Sequence, residues 1–170
     1  MKRVLVLGPG GSGKSTLARR LAEATGLPLH ELDRIYWGPD LRPLPPAEWE
    51  ARQAPLVQAD GWILDGDLGP YDGLEVRLAR ADTVVLLDLA RWRCVWRTLR
   101  RSRERIDFWR WLWHWRRVSR PVLLTAVAAH PAVRLHVLRT PREVTAFVAG
   151  LSRVPGSDGV IGQATPDQAQ

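Results

Sequence analysis

The sequence predicts an α/β domain in which a parallel sheet carries helices on both faces. Short strand-like apolar segments alternate with segments whose apolar residues recur at helical spacing, which is typical of such a sheet. A glycine-rich segment separates the first strand from the first helix, and three later strands run into Asp33, Asp65 and Asp88. Ligands bind such sheets at the carboxyl ends of the strands. These features therefore predict a binding site at one edge of the sheet.

The first half of the chain supplies two strands and two helices. Residues 3–7 are an apolar run that ends on glycine, as buried parallel strands do. Helical spacing of leucine and alanine predicts a helix over 14–25, which Gly26 ends. A second strand is predicted at 28–32, closing on Asp33. Residues 38–46 hold four prolines and are predicted as a surface loop, after which a helix covers 47–58.

The second half continues the alternation. Strands are predicted at 62–64 and 83–87, each followed by an aspartate, and a last strand at 134–138. Thr140 and Pro141 are a good N-cap and first-turn pair for a final helix that reaches about residue 151.

Composition limits the chain to one domain and excludes several classes of protein. Its 170 residues suffice for one core; we expect the domain at 1–151 and a disordered tail at 152–170, where apolar residues are few. Charged residues interrupt every apolar run, and the N-terminus lacks the pattern of a secretory signal. We therefore expect a cytoplasmic protein with no membrane partner. The single cysteine, Cys94, excludes an internal disulfide and is expected as a buried thiol.

The glycine-rich segment satisfies the phosphate-binding pattern G-x-x-x-x-G-K-[ST] between a strand and a helix. Backbone N–H groups of such a loop and the N-terminus of the next helix surround phosphate oxygens. Lys14 would reach the β and γ oxygens and the Ser15 hydroxyl would coordinate Mg²⁺. We predict that ATP, in preference to GTP, is bound by Gly8, Gly10, Gly11, Ser12, Gly13, Lys14, Ser15 and Thr16.

Two of the strand-end aspartates are candidates for the chemistry. Asp65 follows three apolar residues, as the acidic residue that holds Mg²⁺ does; the alternative is that it caps the turn at Gly66. Asp33 would accept the proton of an attacking hydroxyl or hold a polar acceptor, with a helix cap or an ion pair to Arg34 as the alternative. Asp88 is interpreted as a turn residue.

The pattern of residues 91–129 predicts helices with breaks near 102–107 and at Pro121. The chain has a net charge of +7, and its arginines are concentrated in this segment. Arg97 and Arg101 share a helix face and are predicted to stabilise the transferring phosphoryl group; a solvated basic face is the alternative. The tryptophans here are interpreted mainly as packing residues. Aromatic residues among arginines also occur on single-stranded nucleic-acid surfaces, which is the competing hypothesis.

The motifs also follow one another in an informative order. They are the glycine-rich segment, residues 30–33 with Trp37, 62–66, Arg77 before 81–83, 87–89 with 91–92, the tryptophan-rich segment and 142–144. Together they resemble the adenylate-kinase-related family known as topology modulation proteins, over most of residues 1–151. The resemblance implies a nucleoside-monophosphate-kinase-like P-loop NTPase fold, a three-layer domain with a five-stranded parallel sheet in the order 2-3-1-4-5. It also implies that Arg97 and Arg101 match arginines of a lid over ATP.

The sequence thus predicts an ATP-dependent phosphotransferase. The candidate catalytic residues are Lys14, Asp33, Arg97 and Arg101. An unidentified nucleotide or small-molecule acceptor is predicted to bind at Asp33, Asp65 and Arg77. The Mg²⁺ ion is predicted to be held by Ser15 and Asp65. The alternative function is a nucleic-acid-binding regulator that uses ATP as a switch. Either a monomer or a homodimer is compatible with the sequence.

Overall fold

The computed structural model describes residues 1–37, 42–66, 73–101, 109 and 112–151, except the side chains of 100 and 101. Its sheet has five parallel strands in the order β2-β3-β1-β4-β5, as predicted. The strands are β1 (Arg3–Leu7), β2 (Leu29–Glu31), β3 (Trp62–Asp65), β4 (Thr83–Leu87) and β5 (Arg134–Leu138). Register aligns Val4 of β1 with Ile63 of β3 and Thr83 of β4, so the strands on either side of β1 end at one edge.

Helices cover both faces of this sheet. They are α1 (Lys14–Thr25), α2 (Leu32–Trp37), α3 (Pro46–Gln58), α4 (Leu74–Leu78), α5 (Arg91–Arg101), α6 (Ser119–Ala128) and α7 (Pro141–Leu151). None of the described helices is long and apolar enough to span a bilayer.

Alternate side chains of β1 enter two separate apolar cores. Leu5 and Leu7 pack on one face with residues of α3, α4 and α6. Val4 and Val6 pack on the other face with residues of α1 and α7. The strand is covered on both sides, which explains its continuous apolar sequence. Because its end is fixed in the core, the loop that joins it to α1 starts at a fixed place.

The second strand differs from its predicted extent. β2 ends at Glu31, and the chain turns at once into α2, so Asp33 lies in the first turn of a helix and not at a strand end. The reason is the helical spacing of Leu32 and Tyr36, which are both buried in the core. The sequence analysis did not predict α2 or the short helix α4.

Pro121 lies in the first turn of a helix, at a position where a break was predicted. α6 starts at Ser119, which places Pro121 in the first turn, where its missing N–H removes no helical hydrogen bond. The prediction at the start of α7 is confirmed, since the Thr140 hydroxyl accepts a hydrogen bond from the Glu143 backbone N–H at 3.2 Å. The predicted break at 102–107, part of the loop at 38–46 and the tail at 152–170 lie outside the described residues.

Candidate functional site

The loop between β1 and α1 brings a cation and a helix N-terminus to the edge of the sheet. Lys14 is the first residue of α1, so the free N–H groups of the first helical turn face the loop. Its Nζ donates hydrogen bonds to the carbonyl oxygens of Gly8, at 2.8 Å, and of Pro9, at 3.3 Å. The loop therefore carries positive charge against a set of backbone groups, which is an arrangement that binds anions.

Two glycines of the loop lie where a side chain does not fit. A Cβ atom at Gly8, whose φ is 145°, would stand 2.6 Å from the carbonyl oxygen of Leu87 in β4. A Cβ atom at Gly11, whose φ is 70°, would collide with the carbonyl oxygen of Cys94 and with Oγ1 of Thr98. The loop is thus packed against both β4 and α5. Glycine is required for this close approach as well as for the left-handed backbone.

Asp65 ends β3 as a buried carboxylate, 4% exposed, next to the loop. Burial raises its pKa above the ordinary value, and repulsion from Asp33 and Glu31 raises the pKa further, whereas a hydrogen bond with the Ser15 hydroxyl and the charge of Lys14 lower it. Asp65 Oδ1 accepts no hydrogen bond from any residue that the structure describes. A buried oxygen of this kind, beside a hydroxyl, fits a bound cation.

Asp33 lies close to Asp65 although it belongs to α2. The strand end at Gly66 packs against the start of this helix, and a Cβ atom at Gly66 would lie 3.6 Å from Asp33 Oδ1. The exposed Asp33 carboxylate lines the same cavity as Lys14. Arg34, the ion-pair partner considered from sequence, contacts Glu31, Nε to Oε2, at 2.6 Å.

α5 crosses over the loop and contributes two polar side chains to the cavity. Arg97 Nη1 donates a hydrogen bond to the carbonyl oxygen of Ser12 at 3.1 Å. The hydroxyl of Thr98 is buried and has no hydrogen-bond partner among the described residues. Cys94 on the same face is 1% exposed, which confirms the buried thiol, and burial raises its pKa. This face of α5 therefore lies against the loop between β1 and α1.

A cavity of about 530 Å³ extends from the loop along α1 to the first turns of α7. This volume is within the range of small-ligand sites. Sequence reasoning missed several of the side chains that line it: Arg19, Arg20, Thr98, Pro141, Val144 and Thr145. The phosphate-binding pattern ends at Ser15. It therefore contains no signal for Arg19 and Arg20, which lie further along α1, or for the residues that the packing of α5 and α7 brings to the same cavity.

Three predicted site residues that the structure describes do not line this cavity, namely Gly8, Asp65 and Arg77. Arg77 in α4 has no exposed surface, and it is not among the residues that line the cavity. A direct contact between Arg77 and an acceptor would therefore require a movement of α4. The backbone of Arg101 ends α5, and its side chain lies outside the described residues.

Asp88 is more than the turn residue that the sequence indicated. Its carboxylate is 5% exposed and is bound by arginines from a later part of the chain. Arg116 Nη2 lies 2.9 Å from Oδ1, and Arg120 Nε lies 2.9 Å from Oδ2. Arg116 also donates to the backbone carbonyl of Asp88 at 3.2 Å. These contacts hold the first turn of α6 and the segment before it against the end of β4.

The packing interpretation of the tryptophan-rich segment is wrong for three residues. Trp115 is buried, as expected. Trp92, Trp96 and Trp113 are exposed by 65%, 55% and 61%. Among the described residues, no three His, Cys, Asp or Glu side chains form a cluster suited to a metal ion.

Comparison with solved structures shows the fold of P-loop kinases of the nucleoside-monophosphate-kinase type. A shikimate kinase from Acinetobacter baumannii in complex with shikimate is similar with a TM-score of 0.61 at 16% identity, covering 89% of this chain and 90% of that one. A sugar kinase from Janibacter sp. HTCC2649 gives 0.51 at 21%, covering 91% and 96%. A deoxyadenosine kinase from M. mycoides with bound dATP gives 0.52 at 14%, covering 89% and 99%.

At these identities the similarity shows the fold and leaves the substrate open. No family model matches the sequence, and no curated protein matches it. The resemblance to topology modulation proteins is not confirmed by these comparisons and stays a prediction.

Proposed function

We propose that this protein is a phosphotransferase that moves the γ-phosphoryl group of ATP to a nucleotide or small-molecule acceptor with the aid of Mg²⁺. The observation that carries the proposal is the lining of one cavity by both the phosphate loop with Lys14 and the carboxylate of Asp33. A phosphate-binding loop alone serves many NTPases. A carboxylate placed beyond it in the same cavity supplies what an acceptor hydroxyl needs.

The phosphate end of the cavity acts by positioning and by charge. We infer that the amides of Gly10, Gly11 and Gly13 surround the phosphate oxygens, while the Lys14 ammonium leaves the carbonyls of Gly8 and Pro9 for the β and γ oxygens. We infer that Arg97, whose guanidinium lies against the Ser12 carbonyl, contacts the phosphates from the side of α5. Such cations stabilise the charge that spreads over the transferring group.

The residues around Ser15 fit a Mg²⁺ ion. The hydroxyl of Ser15 and the buried Oδ1 of Asp65 are hard oxygen donors on adjacent elements, and Thr16 adds a neighbouring hydroxyl. Bound there, Mg²⁺ would offset the negative charge of the β and γ phosphates. Burial disfavours the charged form of Asp65, and a bound cation would offset that cost.

Asp33 is the proposed base or acceptor-holding group. It is exposed in the cavity, so an acceptor hydroxyl can approach it, and its place on the first turn of α2 fixes its backbone. The proposed neighbours of the adenine ring of ATP lie in the first turns of α7, at Pro141, Val144 and Thr145. We propose ATP as the donor in preference to GTP.

A transfer screen tests the function. The full chain is incubated with ATP labelled at the γ-phosphate, Mg²⁺ and panels of nucleosides, nucleoside monophosphates and small hydroxylated acids or sugars. We expect label to pass to one class of acceptor, and we expect Lys14→Ala and Asp33→Asn each to lower that transfer by roughly a hundredfold. Transfer that is unchanged in both variants, or ATP hydrolysis that no acceptor class alters, would contradict the proposal.

A further inference from the structure

An open cleft lies on the side of α5 that faces away from the phosphate loop. It has a volume of about 770 Å³ and is lined mainly by apolar surface from α5 and from residues 112–116. Trp92, Trp96 and Leu99 of α5 form one wall, and Trp113 forms the other. Each of these side chains is more than half exposed. We call this feature the tryptophan cleft. A contiguous exposed apolar surface of this kind marks a docking site more often than a free surface.

Among the described residues that line the tryptophan cleft, every charged side chain is an arginine. Arg91 and Arg116 lie at its rim, and Arg93 is adjacent. Asp88, the acid nearest in sequence to these arginines among the described residues, is occupied by Arg116 and Arg120. A matching occupant therefore presents apolar side chains to the cleft and negative charge to its rim.

We propose that the tryptophan cleft binds an acidic amphipathic helix of a partner protein. From Trp92 to Leu99, α5 rises about 10 Å, which is two helical turns. A ligand helix presents apolar residues at i, i+3 or i+4 and i+7 over the same length, and this spacing matches the wall. Glutamates or aspartates beside that stripe would meet the arginines of the rim.

The geometry favours this occupant over a single-stranded nucleic acid. Stacking needs free ring faces. The guanidinium of Arg93 lies 4.5 Å from the centre of the Trp92 ring, and that of Arg91 lies 5.1 Å from the centre of the Trp113 ring. One face of each ring is therefore already covered.

Charge and shape also disfavour two other occupants. A second copy of this chain would bring another +7 charge and the same basic helix against the rim, which is repulsive. A bilayer surface is flat and does not fill the space between the two walls of the cleft.

Selection from a displayed library of 16-residue peptides tests the proposal. The full chain is the target, and the double variant Trp92→Ala with Trp96→Ala is the counter-target. We expect enriched peptides to be acidic, with apolar residues at i, i+3 or i+4 and i+7. Enrichment of basic or unpatterned sequences, or of peptides that bind the counter-target equally, would overturn the proposal.

Affinities of one enriched peptide, measured by calorimetry, give the second arm. We expect the double variant to weaken binding roughly 30-fold and Trp113→Ala, on the opposite wall, roughly tenfold. Arg91→Glu should weaken binding of the acidic peptide but not of its glutamine-substituted form. Val122→Ala is the matched control, because Val122 is 64% exposed on α6 and does not line the cleft. Thermal melting shows that each variant is folded.

Two competitors complete the test. Oligothymidylate and vesicles of phosphatidylserine are titrated into the wild-type chain and into the double variant. We expect neither to bind in a way that the tryptophan substitutions abolish. The proposal would be overturned if the oligonucleotide or the vesicles bind the wild-type chain but not the double variant, while no selected peptide shows this difference. The cleft would then be assigned to a nucleic acid or a membrane.

Discussion

The phosphate loop and α5 lie against each other, but they differ in how far their proposed roles depend on local sequence. The proposed role of the loop depends on consecutive residues, because the glycines, Lys14 and Ser15 lie within one strand-to-helix turn. The proposed roles of α5 depend on the surfaces that its two faces meet. One face, with Arg97 and Thr98, lines the cavity beside the loop, and the opposite face, with Trp92 and Trp96, is exposed. A local motif can therefore be interpreted alone, whereas a helix face needs its surroundings.

The contact between these two regions is broken most directly at Gly11. Gly11→Ala places a Cβ against the backbone of Cys94 and forces a left-handed φ of 70° on alanine. We expect ATP affinity to fall roughly 100-fold and the free energy of unfolding to fall by about 2–3 kcal/mol. Calorimetry and urea unfolding measure the two effects.

Gly26 supplies the control for this change. It has the same φ of 70°, but nothing lies within 4 Å of the position of its Cβ. Gly26→Ala should lower the free energy of unfolding by only about 1 kcal/mol and leave ATP affinity unchanged. If both variants bind ATP equally well, close packing between the loop and α5 is unimportant for binding.

Asp88→Ala tests what holds the segment that follows α5. The change leaves Arg116 and Arg120 without their buried carboxylate, and we expect a loss of about 2 kcal/mol in urea unfolding, since both arginines keep some exposure to water. The exposed pair of Glu48 and Arg52 is the comparison, and Glu48→Ala should change stability by less than about 0.5 kcal/mol. Equal effects would show that Asp88 is an ordinary surface group.

Arg97→Ala, compared with Arg93→Ala, tests whether only one face of α5 contributes to ATP binding. Loss of the guanidinium at the Ser12 carbonyl should reduce ATP affinity roughly tenfold. Arg93→Ala, which removes a guanidinium stacked on Trp92, should leave that affinity unchanged. A drop of the same size in both variants would mean that general positive charge, and not position, attracts the nucleotide.

Asp65→Asn should stabilise the protein without ligand. The folded-state pKa of Asp65 is raised above its ordinary value of 3.8, so folding favours the protonated form, and ionisation of Asp65 lowers stability as the pH rises through that pKa. A neutral asparagine avoids this loss, and we expect a gain of about 1 kcal/mol at pH 7 with reduced dependence of ATP binding on Mg²⁺.

The pH dependence of this gain is the check. In urea unfolding it should shrink as the pH falls toward 3.8, because the wild-type carboxyl then becomes protonated as well. A gain that does not change with pH would show that the charge of Asp65 is not its cause.

Most of the fold was predictable from the apolar content of the strands. β1, β4 and β5 were predicted at their observed bounds. β1 and β4 are buried and nearly continuous apolar runs, which have few other solutions, whereas the edge strand β5 alternates apolar residues with Arg134 and His136. β2 was less clear because three of its neighbouring residues, Leu32, Ile35 and Tyr36, serve a helix. α4 is only a short helix, and its packing comes from the tertiary structure.

Of the proposed site, only the loop and Asp65 could be located from local sequence. The pattern around Lys14 located the loop between β1 and α1, and the strand-end position located Asp65 at the end of β3. The burial of Arg77, the arginines on Asp88 and the exposure of Trp92 and Trp96 depend on contacts between distant segments. No local spacing distinguishes a tryptophan that enters a core from one that lines a cleft.

Calorimetry of ATP with Mg²⁺ tests the central claim, that the loop at Lys14 holds a nucleoside triphosphate. We expect one ATP to bind per chain and Lys14→Ala to lose roughly 100-fold in affinity, with the melting temperature of the variant unchanged in the absence of ligand. Equal affinity of the wild-type chain and Lys14→Ala would contradict it.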